Sequence, residues 1–192
     1  FVSPSHSQLD GEKKKTSTGK SYLYSTRVDR LERQSSAAKE FAAERVWSGH
    51  DDWEPAIAVD PSSSYVYQMT TRYTGKRPCD ICRLPPIVFR SSSDGGTTWG
   101  PDRWIALTHE SQNDPQIEVA NDGTIYAVLL NDFVPGIKFT KSNDHGITWT
   151  DPIRLTGGGR KPIYSDKPFL VISPNGQHVY IGFNATDSWV VA

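Results

Sequence analysis

An eight-residue pattern occurs twice in this chain and limits its fold more than any other feature. It reads Ser92-Ser93-Asp94-Gly95-Gly96-Thr97-Thr98-Trp99, and again Ser142-Asn143-Asp144-His145-Gly146-Ile147-Thr148-Trp149, a step of 50 residues. Ser, Asp, Gly, Thr and Trp recur in register. Each has a use in a tight hairpin turn: the carboxylate accepts turn N–H groups, the hydroxyls satisfy others, Gly supplies a positive φ, and the indole folds over the corner. Each octet follows a β-like run, Ile87-Val88-Phe89-Arg90 or Ile137-Lys138-Phe139-Thr140, and precedes another, Trp104-Ile105-Ala106 or Ile153-Arg154-Leu155. The octets are therefore read as corners between adjacent antiparallel strands.

A second repeat interleaves with the first. Glu54-Pro55-Ala56-Ile57-Ala58-Val59, Asp114-Pro115-Gln116-Ile117-Glu118-Val119 and Asp166-Lys167-Pro168-Phe169-Leu170-Val171-Ile172 each lead through a polar turn to a further run, Tyr65–Tyr67, Ile125–Val128 or Val179–Ile181. The prolines stand 60 and 53 residues apart. A residue before proline is extended, so each copy reads as a strand, a turn and a return strand. One unit then holds four short strands, a period that predicts an all-β propeller of four-stranded antiparallel blades.

The octets resemble the Asp box of BNR-repeat proteins, which belong to the sialidase-like β-propellers. The resemblance spans residues 53 to about 187. It implies that Ser92, Asp94, Gly96, Thr98, Trp99, Ser142, Asp144, Gly146, Thr148 and Trp149 are structural. Residues 54–107 make one blade and 114–156 a second, while 166–187 are expected to supply only two strands of a third. Rings close with about 4–8 blades. The expectation is thus the N-terminal blades of a truncated propeller over 47–192, with the remaining blades as partners from missing sequence. A polar extension over 1–46 precedes them, with a short helix expected within Val28–Val46.

The resemblance also implies a ligand face, made by the loops that enter each innermost strand and those that join strands two and three. Glu54, Asp114 and Asp166 then sit at three strand entrances near the axis, with Lys167 beside the last, and Arg72 and Asp132 are the preferred loop contacts. A carboxylate there serves as a general acid, a base or a calcium ligand; otherwise it fixes the strand entrance by accepting loop N–H groups. No cofactor is expected, calcium being the open alternative. The arginine triad, Tyr–Glu nucleophile pair and acidic Asp of true sialidases cannot be placed. Arg83-Leu84-Pro85 resembles the Arg-Ile-Pro motif of that family but stands too close to the first octet.

Cys79-Asp80-Ile81-Cys82 lies in a loop between strands, not at a helix start, and has no second pair. A local disulfide comes first among its readings, with free thiols and a metal half-site behind. The five histidines show no ligand spacing. Twenty-one basic against twenty-two acidic side chains leave a net charge of −1, which gives no footprint for nucleic acid. No run of about 18 apolar residues marks a membrane span. The function expected is that of an exported (extracellular or periplasmic) sialidase-like glycoside hydrolase acting on sialylated or related glycans, with a glycan or glycoconjugate as partner. The alternative is a non-catalytic propeller that binds glycan or protein.

Overall fold

The structure is a computed structural model that describes residues 48–133, 136–156, 165–185 and 188–191. The expected extension over 1–46, with its helix, lies outside the described residues. The strands fall in one compact unit, His50–Ala192. Among the described residues there is no helix, and every strand pairing is antiparallel.

Three sheets follow one another along the chain, each in sequence order. The first holds β1 (Asp52–Val59), β2 (Val66–Arg72), β3 (Ile87–Ser92) and β4 (Arg103–Trp104). The second holds β5 (Gln112–Val119), β6 (Ile125–Asn131), β7 (Gly136–Ser142) and β8 (Ile153–Arg154). The third holds β9 (Asp166–Ile172), β10 (Val179–Asn184) and β11 (Ser188–Val191). The third sheet thus has three strands where two were expected, because the chain turns directly after Asn184 and Ser188–Val191 pairs back onto Ile181–Asn184. These are blades of a partial propeller.

Alternation explains how the sheets stack. On β6, Ile125, Ala127 and Leu129 pack against Tyr67, Met69, Ile87 and Phe89 of the first sheet. Tyr126, Val128 and Leu130 face the other way, onto Leu170, Ile181 and Phe183 of the third. β6 is apolar from Ile125 to Leu130 because both of its faces are covered. A fully buried side chain such as Leu129 contributes roughly 1.5–3 kcal/mol. The outermost faces differ. Ile57 and Val59 of β1 are exposed, as are Phe169, Val171 and Tyr180 at the far side of the third sheet.

One tyrosine position recurs across the stack. The Tyr67 hydroxyl meets Nδ1 of His145 in the second sheet at 2.7 Å. The Tyr126 hydroxyl donates to the Gly176 carbonyl of the third at 3.3 Å. Tyr180 holds the same place on β10 and is 46% exposed.

Both octets close the corner between the third and fourth strands of their sheets. In the first, Ser92 Oγ accepts from the Gly96 N–H at 2.9 Å, while Asp94 accepts from the Thr98 N–H at 2.8 Å and from Thr98 Oγ1 at 2.6 Å. In the second the same bonds measure 3.0, 2.9 and 2.5 Å. The bonds from Thr98 and Ser92 hold the Asp94 carboxyl down to about 2, and those from Thr148 and Ser142 hold Asp144 equally low, at about 2.

Candidate functional site

The octets and the β1–β2, β5–β6 and β9–β10 turns share one end of the stack, so β1, β5 and β9 all begin at the opposite end. There the residues before the three prolines, Glu54, Asp114 and Lys167, are not extended as the sequence led us to expect: all have positive φ, at 57°, 48° and 48°, because each sits in a bulge at the strand entrance. A side chain with a Cβ pays about 1–2 kcal/mol for that conformation. The pairing register shifts at the same places, between Trp53 and Ala56 and between Asn113 and Gln116 on the inner strands, and on β10 opposite Asp166–Phe169. Each inner strand therefore starts with a bulge that re-aims one side chain.

The three re-aimed side chains join the sheets in a line. Glu54 Oε2 accepts from Thr71 Oγ1 at 2.7 Å and from the Asp114 N–H, across the sheet boundary, at 2.7 Å. Asp114 Oδ1 accepts from Lys167 Nζ of the third sheet at 2.6 Å. Asp114 is nearly buried, whereas the Lys167 side chain is 54% exposed. Burial, helped by the negative Glu54, pushes the Asp114 carboxyl up despite its lysine partner. The bond to Asp114 raises the Lys167 ammonium in turn. Asp114 therefore holds its proton more tightly than an ordinary aspartate.

Two aromatic rings flank the line. Trp53 is 58% exposed, yet its ring N–H donates to Asp51 Oδ1 at 2.6 Å. Tyr73 is 40% exposed, and its hydroxyl donates to Asn113 Oδ1 at 2.9 Å. Partial burial and the charges of Glu54 and Asp114 push the Tyr73 phenol up, against the opposing pull of Lys167. That phenol is held protonated, the reverse of an activated nucleophile.

The candidates of the sequence fall into separate places. Glu54, Asp114 and Lys167 come together. Asp166 stands one residue outside the pre-proline position, where its Oδ1 accepts the Lys167 N–H at 2.9 Å. Arg72 is not in a loop: it ends β2, is buried, and by alternation lies on the face turned away from the second sheet. Asp52 grips its guanidinium through two bonds of 2.8 Å, and Asp102 bonds both Arg72 and Arg90. The Asp52 bond raises the Arg72 pKa further. Asp132, with φ 52°, fixes a turn: its carboxylate accepts the Ser111 N–H at 3.2 Å. Cys79 and Cys82 are joined by a disulfide in the β2–β3 loop. His50 lies against Gly75 in that same loop. Among the described residues no cluster of His, Cys, Asp and Glu is arranged to hold a metal ion. No helix long and apolar enough to cross a membrane is found among the described residues.

Sequence reasoning passed over Trp53, Thr71 and Asn113 and did not choose Tyr73. One signal was available: aligning the copies on Pro55, Pro115 and Pro168 puts Lys167, not Asp166, in the column of Glu54 and Asp114.

No family profile matches the chain, and no curated protein does. Solved structures do resemble it. A Hadza microbial sialidase matches with a TM-score of 0.53 at 17% identity, over 72% of this chain and 34% of that one. A PL25 polysaccharide lyase, an ulvan lyase, matches at 0.46 and 16% identity over 76% and 34%. A GH43 protein from Bacillus licheniformis matches at 0.45 and 18% identity over 70% and 28%. The chain spans about a third of the sialidase's length. At such identities the likeness concerns the fold.

Proposed function

We propose that this chain forms part of the ligand face of an exported, glycan-active propeller, and that the whole protein hydrolyses sialylated or related glycans. The observation that carries the reading is the Glu54–Asp114–Lys167 line, one side chain from each sheet, gathered by strained backbone at the end remote from the octets. Strain repeated at one locus marks a place where geometry is held for a purpose. A carboxyl raised by burial, next to an ammonium and exposed aromatic rings, supplies the donors, acceptors and apolar surface that a sugar needs. The Cys79–Cys82 disulfide fits an oxidising compartment, outside the cell or in a periplasm.

A second reading, a non-catalytic propeller that binds glycan or protein through the same face, is favoured by a different observation. Tyr73 is held protonated by its surroundings, Arg72 is spent on Asp52 and Asp102, and Lys167 is paired. The test is to assay the full-length protein on a panel of fluorogenic sialosides, with Asp114→Asn as the variant. Turnover that falls about a hundredfold or more in the variant, a change of about 2.7 kcal/mol in the barrier, with unchanged melting, supports the hydrolase. Retained glycan binding without turnover replaces it by the second reading. The absence of both turnover and glycan binding overturns the glycan assignment.

A further inference from the structure

We propose that the three strand entrances build a subsite for an uncharged pyranose ring, stacked on Trp53, and not for the carboxylate of an acidic sugar. This rests on the glycan reading above and narrows it. An exposed tryptophan normally turns freely. Trp53 does not, because Asp51 takes its ring N–H at 2.6 Å, and Tyr73 is pinned in the same way by Asn113. Two rings are thereby fixed with much of their surface in water, which spares a ligand the cost of ordering them. Register puts them together: Trp53 pairs with Thr71, and the Tyr73 N–H donates to the Asp51 carbonyl at 2.9 Å one step further on. Thr71 in turn holds Glu54. The rings therefore adjoin the line of polar groups.

Charge selects the kind of sugar. Among the described residues, Glu54, Asp114 and Asp166 act on one cation of the line, Lys167, which Asp114 already holds, and a fourth carboxylate, Asp51, sits at the Trp53 ring. A carboxylate brought here would meet net negative charge. A neutral ring would not: its hydroxyls donate to Glu54 and Asp114, accept from Lys167, and leave a C–H face for the indole. Other exposed cations on this end, Lys76, Arg77 and Arg83, belong to the β2–β3 loop and take no part in the line.

The test is saturation-transfer NMR on the full-length protein, with lactose and sialyllactose as probes and the variants Trp53→Ala, Trp53→Phe and Asp51→Ala. The expected result is transfer to the galactose and glucose ring protons of both probes. Affinity should be about tenfold weaker in Trp53→Ala and within about threefold of the parent in Trp53→Phe, shifts of about 1.4 and 0.7 kcal/mol. Asp51→Ala keeps the indole but frees it, and should fall between the two, which separates stacking from loss of fold. Transfer confined to the neuraminyl ring, or binding indifferent to Trp53→Ala, overturns the subsite and leaves the glycan reading standing. No transfer from either probe, nor from any member of a broader glycan set, overturns both.

Discussion

The two octets hold their aspartates by the same bonds but differ at the indole and have opposite surroundings: the Trp99 ring N–H donates to the Gly96 carbonyl at 3.1 Å, whereas the buried Trp149 ring N–H meets no acceptor among the described residues. Around the first, a Cβ added at Gly95 would meet nothing, and one at Gly96 would touch only Trp99 of its own corner, at 3.8 Å. Around the second, a Cβ at Gly146 would stand 2.2 Å from the Phe89 ring of the neighbouring sheet. Trp149 packs edge-on against that same Phe89, with ring centres 5.3 Å apart, and Tyr65 stacks on His145 at 3.8 Å. Arg103 of β4 also donates to the Gly146 carbonyl at 3.4 Å. One motif thus does two separable jobs. It closes a corner everywhere, and where a preceding sheet is present it also plugs that sheet's face.

Substitutions can split the two jobs. The largest difference is expected for Gly146→Ala against Gly96→Ala in denaturant unfolding of the full-length protein. The first adds overpacking against a buried ring to the conformational cost, for a loss of about 4 kcal/mol, while the second costs about 1 kcal/mol. Equal losses would mean that the second octet is not a plug. Trp149→Ala should cost about 3 kcal/mol and Trp99→Ala about half that, since only Trp149 packs against a core ring of another sheet. His145→Ala removes the stacked contacts with Tyr65 and Tyr67 and one hydroxyl bond, about 1 kcal/mol by thermal melting. It should leave Asp144 low in pKa.

The smallest expected difference concerns acid. Both aspartates have folded pKa values lowered to about 2 from 3.8. Their stabilisation is therefore complete above the unfolded value and is lost as pH falls from about 4 towards 2. Asp94→Asn and Asp144→Asn should each flatten the stability curve over that window, and by similar amounts, because the bonds inside the corner are alike. Unequal flattening in a pH titration of unfolding would show that the plug also sets the corner's electrostatics.

What the sequence could tell follows the range of each interaction. The octets, the paired strands and the stacking order were legible because they rest on contacts within about 50 residues that repeat. Arg72 was misplaced because its partners, Asp52 on β1 and Asp102 just before β4, lie 20 and 30 residues away and belong to no repeat. A loop arginine and a buried one read alike in one dimension. The third strand of the last sheet was missed because no octet marks the end of the Ser188–Val191 run, as one marks the ends of β3 and β7. The Glu54–Asp114–Lys167 line was half legible: the proline column located it, but the bulges that turn those side chains toward one another are a property of the backbone.

The recurring tyrosine has a consequence for assembly. Tyr67 and Tyr126 each present a knob that the following sheet caps, always in the same sense, so the contact between neighbours is heterologous and has a polarity. Contacts of that kind either curl round until they meet their own beginning or keep adding units without limit. Tyr180, Phe169 and Val171 form the leading edge. At the trailing edge, the places that β6 fills with Ala127, Leu129 and Asn131 hold Gln68, Thr70 and an Arg72 clamped by carboxylates. Gln68, Thr70 and Arg72 are already buried, so a neighbour built like the third sheet could not seat there as the interior sheets seat on one another.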